Sequence, residues 1–196
     1  MASSDLARDR DAQLVTAVRD GDSAAFDELV LRHGDRVLRF LATMTGDDAA
    51  AEDLRQEALR LALERLAQLT EPARFGSWLL AIAANRCRNH LRDEVRRRAA
   101  GGDEPVLDAP PDRGRRSALS SLVARESAEL LALAVDRLPI LLREAFVLFH
   151  QEQLPYAAIA EITGASEGAL QVRVHRARAL LRQQLGRVVD TWWRRE

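Results

Sequence analysis

Residues 155–182 read PYAAIAEITGASEGALQVRVHRARALLR, a helix-forming run broken by Thr-Gly-Ala-Ser and resumed with an arginine every few positions. Pro155 fits the first turn of a helix, where its missing N–H is not needed. Ile159 and Ile162, three apart, give that helix an inner face. Gly164 can take the left-handed conformation of a tight turn, and Ser166 is placed to cap a second helix. Two short helices about a sharp turn form a helix-turn-helix, whose second helix characteristically enters the DNA major groove.

At roughly 100° per residue, Leu170, Val174, Ala177 and Leu181 fall within an arc of about 60° and face a core. Gly168, Val172, His175 and Ala179 point away, with Gln171 and Arg176 beside them. Arg173, Arg178 and Arg182 lie on the flanks. Flanking arginines suit phosphates, while Gly168, Gln171, Val172 and His175 can approach base edges. The plain alternative is a solvated amphipathic helix.

Working outward, residues 99–116 (AAGGDEPVLDAPPDRGRR) hold three of the six prolines and three of the ten glycines. Such a stretch, with almost no apolar periodicity, reads as a flexible linker. On both sides the pattern is helical, without alternating β-branched runs. The expected fold is all-α: two small helical domains joined by a flexible linker, the second containing the helix-turn-helix. The boundaries are 11–98, a linker at 99–122, 123–188, and a tail at 189–196.

In the first domain a short helix carries Leu14, Val15 and Val18 and ends at Gly21. Ser23 is the expected cap of the next, which places Phe26, Leu29, Val30, Val37, Leu38 and Leu41 at helical spacing. After Gly46, Leu54, Ala58, Leu61 and Ala62 line a third helix; Arg65 interrupts the stripe and Leu69 resumes it. Pro72 sits near the start of a fourth, with Trp78, Leu79, Ile82 and Ala83 as its buried stripe. In the second domain Leu138-Pro139 stops one helix, and Leu141, Leu142, Ala145, Phe146 and Phe149 mark the next.

The net charge of −1 hides an uneven distribution. Residues 86–98 (RCRNHLRDEVRRR) carry six arginines against two acids, and residues 173–182 carry four arginines and no acid. The chain has no lysine, so every permanent cation is a planar fork able to hold two phosphate oxygens. The single cysteine, Cys87, excludes an internal disulfide and a multi-cysteine zinc site; it reads as a small buried apolar residue. Four separated histidines make no metal-ligand pair, and no nucleophile elbow or phosphate loop is present. No catalytic residue, metal or cofactor is expected. The charged N-terminus lacks a secretory core and no apolar run is long enough to span a membrane, so the expected location is cytoplasmic.

The two domains together resemble the extracytoplasmic-function (ECF) sigma factors of bacterial RNA polymerase. Residues 155–182, with LPILLREAFVLFHQEQL before them, look like sigma region 4. DGDSAAFDELVLRHGDRVLRFLATMTGD, AEDLRQEALRLALERL and FGSWLLAIAANRCRNHLRD look like region 2. The resemblance spans about residues 11–188. It implies a promoter-specificity subunit whose partners are core RNA polymerase, promoter DNA and an anti-sigma factor. Asp53, Leu54, Gln56 and Glu57 would then meet the polymerase clamp. Asn85, Arg86, Arg88, Asn89 and Arg92 would face the −10 element, with the loop from Leu69 to Trp78 capturing a base. Ser166, Gly168, Gln171, Val172, Arg173, His175, Arg176 and Arg178 would serve the −35 element, and the linker would thread near the RNA path. Arg55, where the family often has an apolar residue, and Gln171-Val172, in place of a more polar pair, are departures. Trp192 and Trp193 fit either a packed tail or a partner contact. The alternative is a stand-alone helix-turn-helix repressor or activator, which leaves the first domain without a purpose.

Overall fold

The computed structural model describes residues 2–100 and 130–186. The described part is helical, without strands. The first domain comprises α1 (Ala2–Arg19), α2 (Ser23–Thr45), α3 (Asp48–Glu64) and α4 (Phe75–Ala100), with two single 3₁₀ turns, Leu66–Gln68 and Pro72–Arg74, between α3 and α4. The second comprises α5 (130–136), α6 (Ile140–His150), α7 (Tyr156–Thr163) and α8 (Glu167–Leu185). Most of the expected linker and the whole tail, including Trp192 and Trp193, lie outside the described residues. Helix α4 continues through Ala100, two residues into the expected linker.

Local chemistry sets these boundaries. Asp22, rather than Ser23, caps α2: its carboxylate accepts from the amides of Ala24 (3.0 Å) and Ala25 (3.4 Å). An anion there also meets the positive end of the helix dipole, which a serine hydroxyl does only weakly. Gly46 ends α2 in the left-handed region at φ 67°, and Asp47 caps α3 through the amides of Ala49 and Ala50. Helix α3 stops at Glu64, so Leu69 belongs to the following turn rather than to the α3 stripe.

The domain cores are mostly aliphatic, with a few phenylalanines. Leu14, Leu29, Val37, Phe40, Leu41, Ala58, Leu79 and Ala83 are buried in the first, and Leu138, Val147, Leu148, Ile159, Leu170 and Val174 in the second. Cys87 is buried, as its sequence context implies. Trp78 and Ile82 are only half-buried. The inward face of α4 is instead Phe75, Leu79, Leu80, Ala83, Ala84, Cys87 and Leu91. That face follows one helical stripe, which leaves Trp78 at its edge.

Helix α1 is pinned by charge as well as apolar contact. Asp11 is buried and accepts from Arg32 Nε (2.8 Å), and its other oxygen lies 2.9 Å from His33 Nε2. The His33 ring faces Phe75, centroids 5.5 Å apart, and covers the first turn of α4 at Gly76. A Cβ at Gly76 would lie 2.8 Å from His33 Cε1. Gly76→Ala should therefore displace that ring from Asp11 and destabilise the protein by about 1–3 kcal/mol, the usual cost of overpacking. Thermal unfolding followed by circular dichroism checks this; an unchanged midpoint would show that the ring has room to move.

Candidate nucleic-acid interface

The helix-turn-helix forms as its residues require. Gly164 adopts φ 71° and its amide donates to Ala160 O at 2.8 Å, closing α7. Ser166 caps α8 by accepting from the Ala169 amide at 3.3 Å. Leu170, Val174, Ala177 and Leu181 are all buried, while Gly168, Gln171, Val172, His175 and Arg176 are exposed. Val172 is 51% exposed, an apolar side chain held in water on the outer face of a recognition-type helix. Arg173 is half-buried at the flank.

Arg178 behaves differently from its neighbours. Its Nε lies 3.0 Å from His150 Nε2, and its guanidinium stands 5.6 Å from the Phe149 ring centroid. Four residues after buried Val174, Arg178 leans toward the core side of α8. It therefore joins α8 to α6 in this structure instead of standing free beside a groove.

In the first domain, Asn85, Asn89 and Arg92 are exposed along α4. Arg86 and Arg88, beside them, are both held by carboxylates. Arg86 pairs with Glu57 of α3, joining a residue expected at the polymerase to one expected at DNA. Arg88 donates through Nη2 (2.9 Å) and Nε (3.1 Å) to Glu144 of α6. Glu144 is 1% exposed, and burial pushes its carboxyl above the usual range; Arg88, Arg173 and Arg92 pull it back down. Asp53 and Gln56 are exposed on α3, whereas Leu54 is buried with the core. Arg55 pairs with Glu52 and lies over Gly34 of α2, its Nη1 3.3 Å from where a Cβ would sit. An arginine is accommodated there because its neighbour on α2 has no side chain.

Two clefts open on the same side of α4. One of about 200 Å³ is lined by Leu69, Thr70, Arg74, Trp78, Glu161 and Ile162, among others. The adjoining one, about 450 Å³, includes Arg65, Trp78, Asn85, Arg86, Asn89 and Glu161. Trp78 borders both, so its half-buried position puts an aromatic face beside the loop rather than deep in the core. Arg74, on that loop, was not singled out by sequence; its signal was proximity to Trp78 in TEPARFGSW.

Arg19 was also missed. At the end of α1 its Nη2 donates to Leu66 O at 2.9 Å and to Leu69 O, gathering the loop backbone between α3 and α4. Nothing in the spacing of α1 marks this, because the partners are carbonyls 47 and 50 residues away. Arg19→Met should remove these bonds, at a net cost of about 1 kcal/mol. Amide hydrogen exchange should then quicken over residues 66–74 while α2 keeps its protection; unchanged loop exchange would show that Arg19 does not hold it.

Among the described residues no cluster of histidine, cysteine and carboxylates is suited to a metal, and no helix is long and apolar enough to cross a membrane.

Two family models match the chain, Sigma-70 region 2 over residues 29–97 and Sigma-70, region 4 over residues 128–181. The RNA polymerase sigma-H factor of Pseudomonas aeruginosa is 32% identical over 187 residues, which cover 92% of this chain and 96% of the relative. The ECF RNA polymerase sigma factor SigE of Mycolicibacterium smegmatis is 34% identical over 194 residues, covering 94% of this chain and 72% of the relative. Among solved structures, CnrH in complex with the cytosolic domain of CnrY superposes with a TM-score of 0.65 at 25% identity, covering 90% of this chain and 97% of that one.

Proposed function

We infer the role of this protein from its lineage: the chain belongs to the ECF sigma factors of the sigma-70 family. It is a promoter-specificity subunit, not an enzyme; it binds core RNA polymerase and directs initiation at −10/−35 promoters, in the cytoplasm, under an anti-sigma factor. The observation that carries this is the pairing of a helix-turn-helix with a separate arginine-rich helical domain. A stand-alone repressor or activator would need only the first of these, and nothing in the first domain favours that reading.

In this proposal residues 11–98 dock on polymerase and open the −10 element. Asp53 and Gln56 offer an exposed polar face on α3, with Glu57 beside them; buried Leu54 shapes that face from below. Asn85, Asn89 and Arg92 present amides and a guanidinium along α4. An amide offers donor and acceptor to a base edge together, and the guanidinium grips backbone. Trp78, with Arg74 beside it, gives an unstacked base a platform and its phosphate a cation. Residues 123–188 read the −35 element, with Gly168, Gln171, Val172 and His175 toward base edges. Arg173 and Arg176 meet phosphates, and Ser166 sits at the helix N-terminus, where anions are favoured. Arg178 contributes through its hold on α6.

Gel filtration with core polymerase, followed by transcription from the co-eluting fraction, tests the reading. Stable co-elution with new promoter-dependent start sites is expected; tight duplex binding by the chain alone, without core binding, would overturn it. Asp53→Ala with Gln56→Ala should weaken competition for core while leaving the fold intact. In the holoenzyme, Arg176→Ala should reduce the magnitude of the salt slope of promoter binding by about 0.9, the loss of one phosphate contact. Gln171→Ala should instead change preference at one −35 position. A shifted preference in Arg176→Ala with an unchanged slope would reverse those two assignments.

A further inference from the structure

The loop proposed above to capture a base is held in place by helix α1. That helix packs along both 3₁₀ turns of the segment between α3 and α4. Leu66 and Leu69 of the segment are buried, while Thr70 and Arg74 line the cleft of about 200 Å³ beside Trp78, where Arg74 also meets Glu161 of α7. Arg19, in the last turn of α1, donates from a single nitrogen, Nη2, to two carbonyls of the segment, Leu66 O at 2.9 Å and Leu69 O. Leu66 O also accepts the Leu69 amide at 3.2 Å, the bond that closes the first 3₁₀ turn. At the far end of the segment, Ser77 Oγ donates to Arg74 O at 3.0 Å.

The two Arg19 bonds act at the point where the chain leaves the turn for the cleft. A helical turn that ends leaves carbonyls in need of donors, and a guanidinium supplies them. Leu69 is the first residue past the turn, extended at φ −71° and ψ 105°. A trans peptide is planar, so placing the Leu69 oxygen on Arg19 fixes the next peptide plane and turns the Thr70 amide the opposite way. The path of the loop is thereby set by a side chain that lines neither cleft beside Trp78. Helix α1 is a firm base for this bond. About two turns before Arg19, Asp11 is held by Arg32 and His33 of α2, and the His33 ring covers Gly76 in the first turn of α4.

We propose that Arg19 is a positioning residue for base capture: by holding the Leu66 and Leu69 carbonyls it keeps the loop in the arrangement that accepts a cognate −10 base against Trp78. It sets discrimination at that base without touching DNA. This rests on the functional reading above for the use of the cleft, but not for the hold itself. A loop released from Arg19 spends part of its time in other arrangements, and affinity for the cognate base falls to the fraction that stays competent. A base that never engages the loop loses nothing. The gap between the two narrows at that one position, while −35 reading and polymerase docking, made by other elements, keep their strength.

The test uses holoenzyme reconstituted from the full chain and core polymerase, on a promoter it transcribes, with each −10 and −35 position changed in turn to the other three bases. One −10 position should show discrimination of about tenfold, within the usual range for a single base pair, that Trp78→Ala abolishes. Arg19→Met should lower it there to about threefold, the change expected if about a third of the loops stay competent. It should add nothing in the Trp78→Ala background and leave the −35 positions at wild-type values. Arg19→Lys, which keeps a charged donor for one carbonyl, should fall between. Arg10→Met, which removes the exposed Arg10–Glu28 pair between α1 and α2, should match wild type. Unchanged discrimination in Arg19→Met, or a loss shared equally by −10 and −35 positions, would overturn the positioning role. Should Arg19→Met fail to co-elute with core polymerase, Arg19→Lys decides by the same criterion. A wild type without promoter-dependent transcripts would instead remove the sigma reading, and the absence of any Trp78-dependent position would remove base capture. In either case amide exchange over residues 66–74 of the free Arg19→Met chain reads the hold itself.

Discussion

A buried charge must find a partner, and much of this structure follows from that requirement. Asp11, Asp136, Arg143 and Glu144 are all buried. Leaving any of them unpaired would cost several kcal/mol. Asp11 is met by Arg32 and His33, which fixes α1 on α2. Arg143 is met by Asp136 and a carbonyl at the end of α2, and Glu144 by Arg88 of α4. The first pairing builds a domain. The other two hold one domain to the other, so the relation between the domains is a matter of charge as much as of apolar area.

The same economy explains why residues with distinct assigned roles are found touching. Arg86 is expected on the DNA-facing side and Glu57 on the polymerase-facing side, yet they pair across α3 and α4. Those two proposed surfaces are adjacent edges of one small helical domain, joined by that ion pair. A chain whose only permanent cation is arginine has a planar fork at every such position. Each fork can accept a carboxylate in the free protein and a phosphate in a complex with similar geometry.

Local features were legible in the sequence. The turn at Gly164, the Ser166 cap and the buried stripe of α8 follow from spacing alone, because each is decided within one or two helical turns. The all-helical fold and the burial of Cys87 follow equally from pattern. The cap of α2 was misplaced by one residue, since Asp22 and Ser23 are both good caps and only charge separates them. Trp78 was assigned to the core because it aligns with Ile82, but both lie at the edge of a stripe centred on Leu79 and Ala83. Arg19, Arg74 and Glu144 carried no local signal. Their partners are distant in the chain, and a glutamate in a mostly apolar helix such as α6 looks like an exposed position until the fold places an arginine opposite it.

Pulsed electron resonance between spin labels on exposed Gln13 of α1 and exposed Gln183 of α8 gives the distance between domains most directly. A single short distance is expected for the free chain, replaced by a longer one when core polymerase and promoter DNA are added and transcription begins. Retention of the short distance in a transcribing complex would contradict the assignment of one domain to each promoter element.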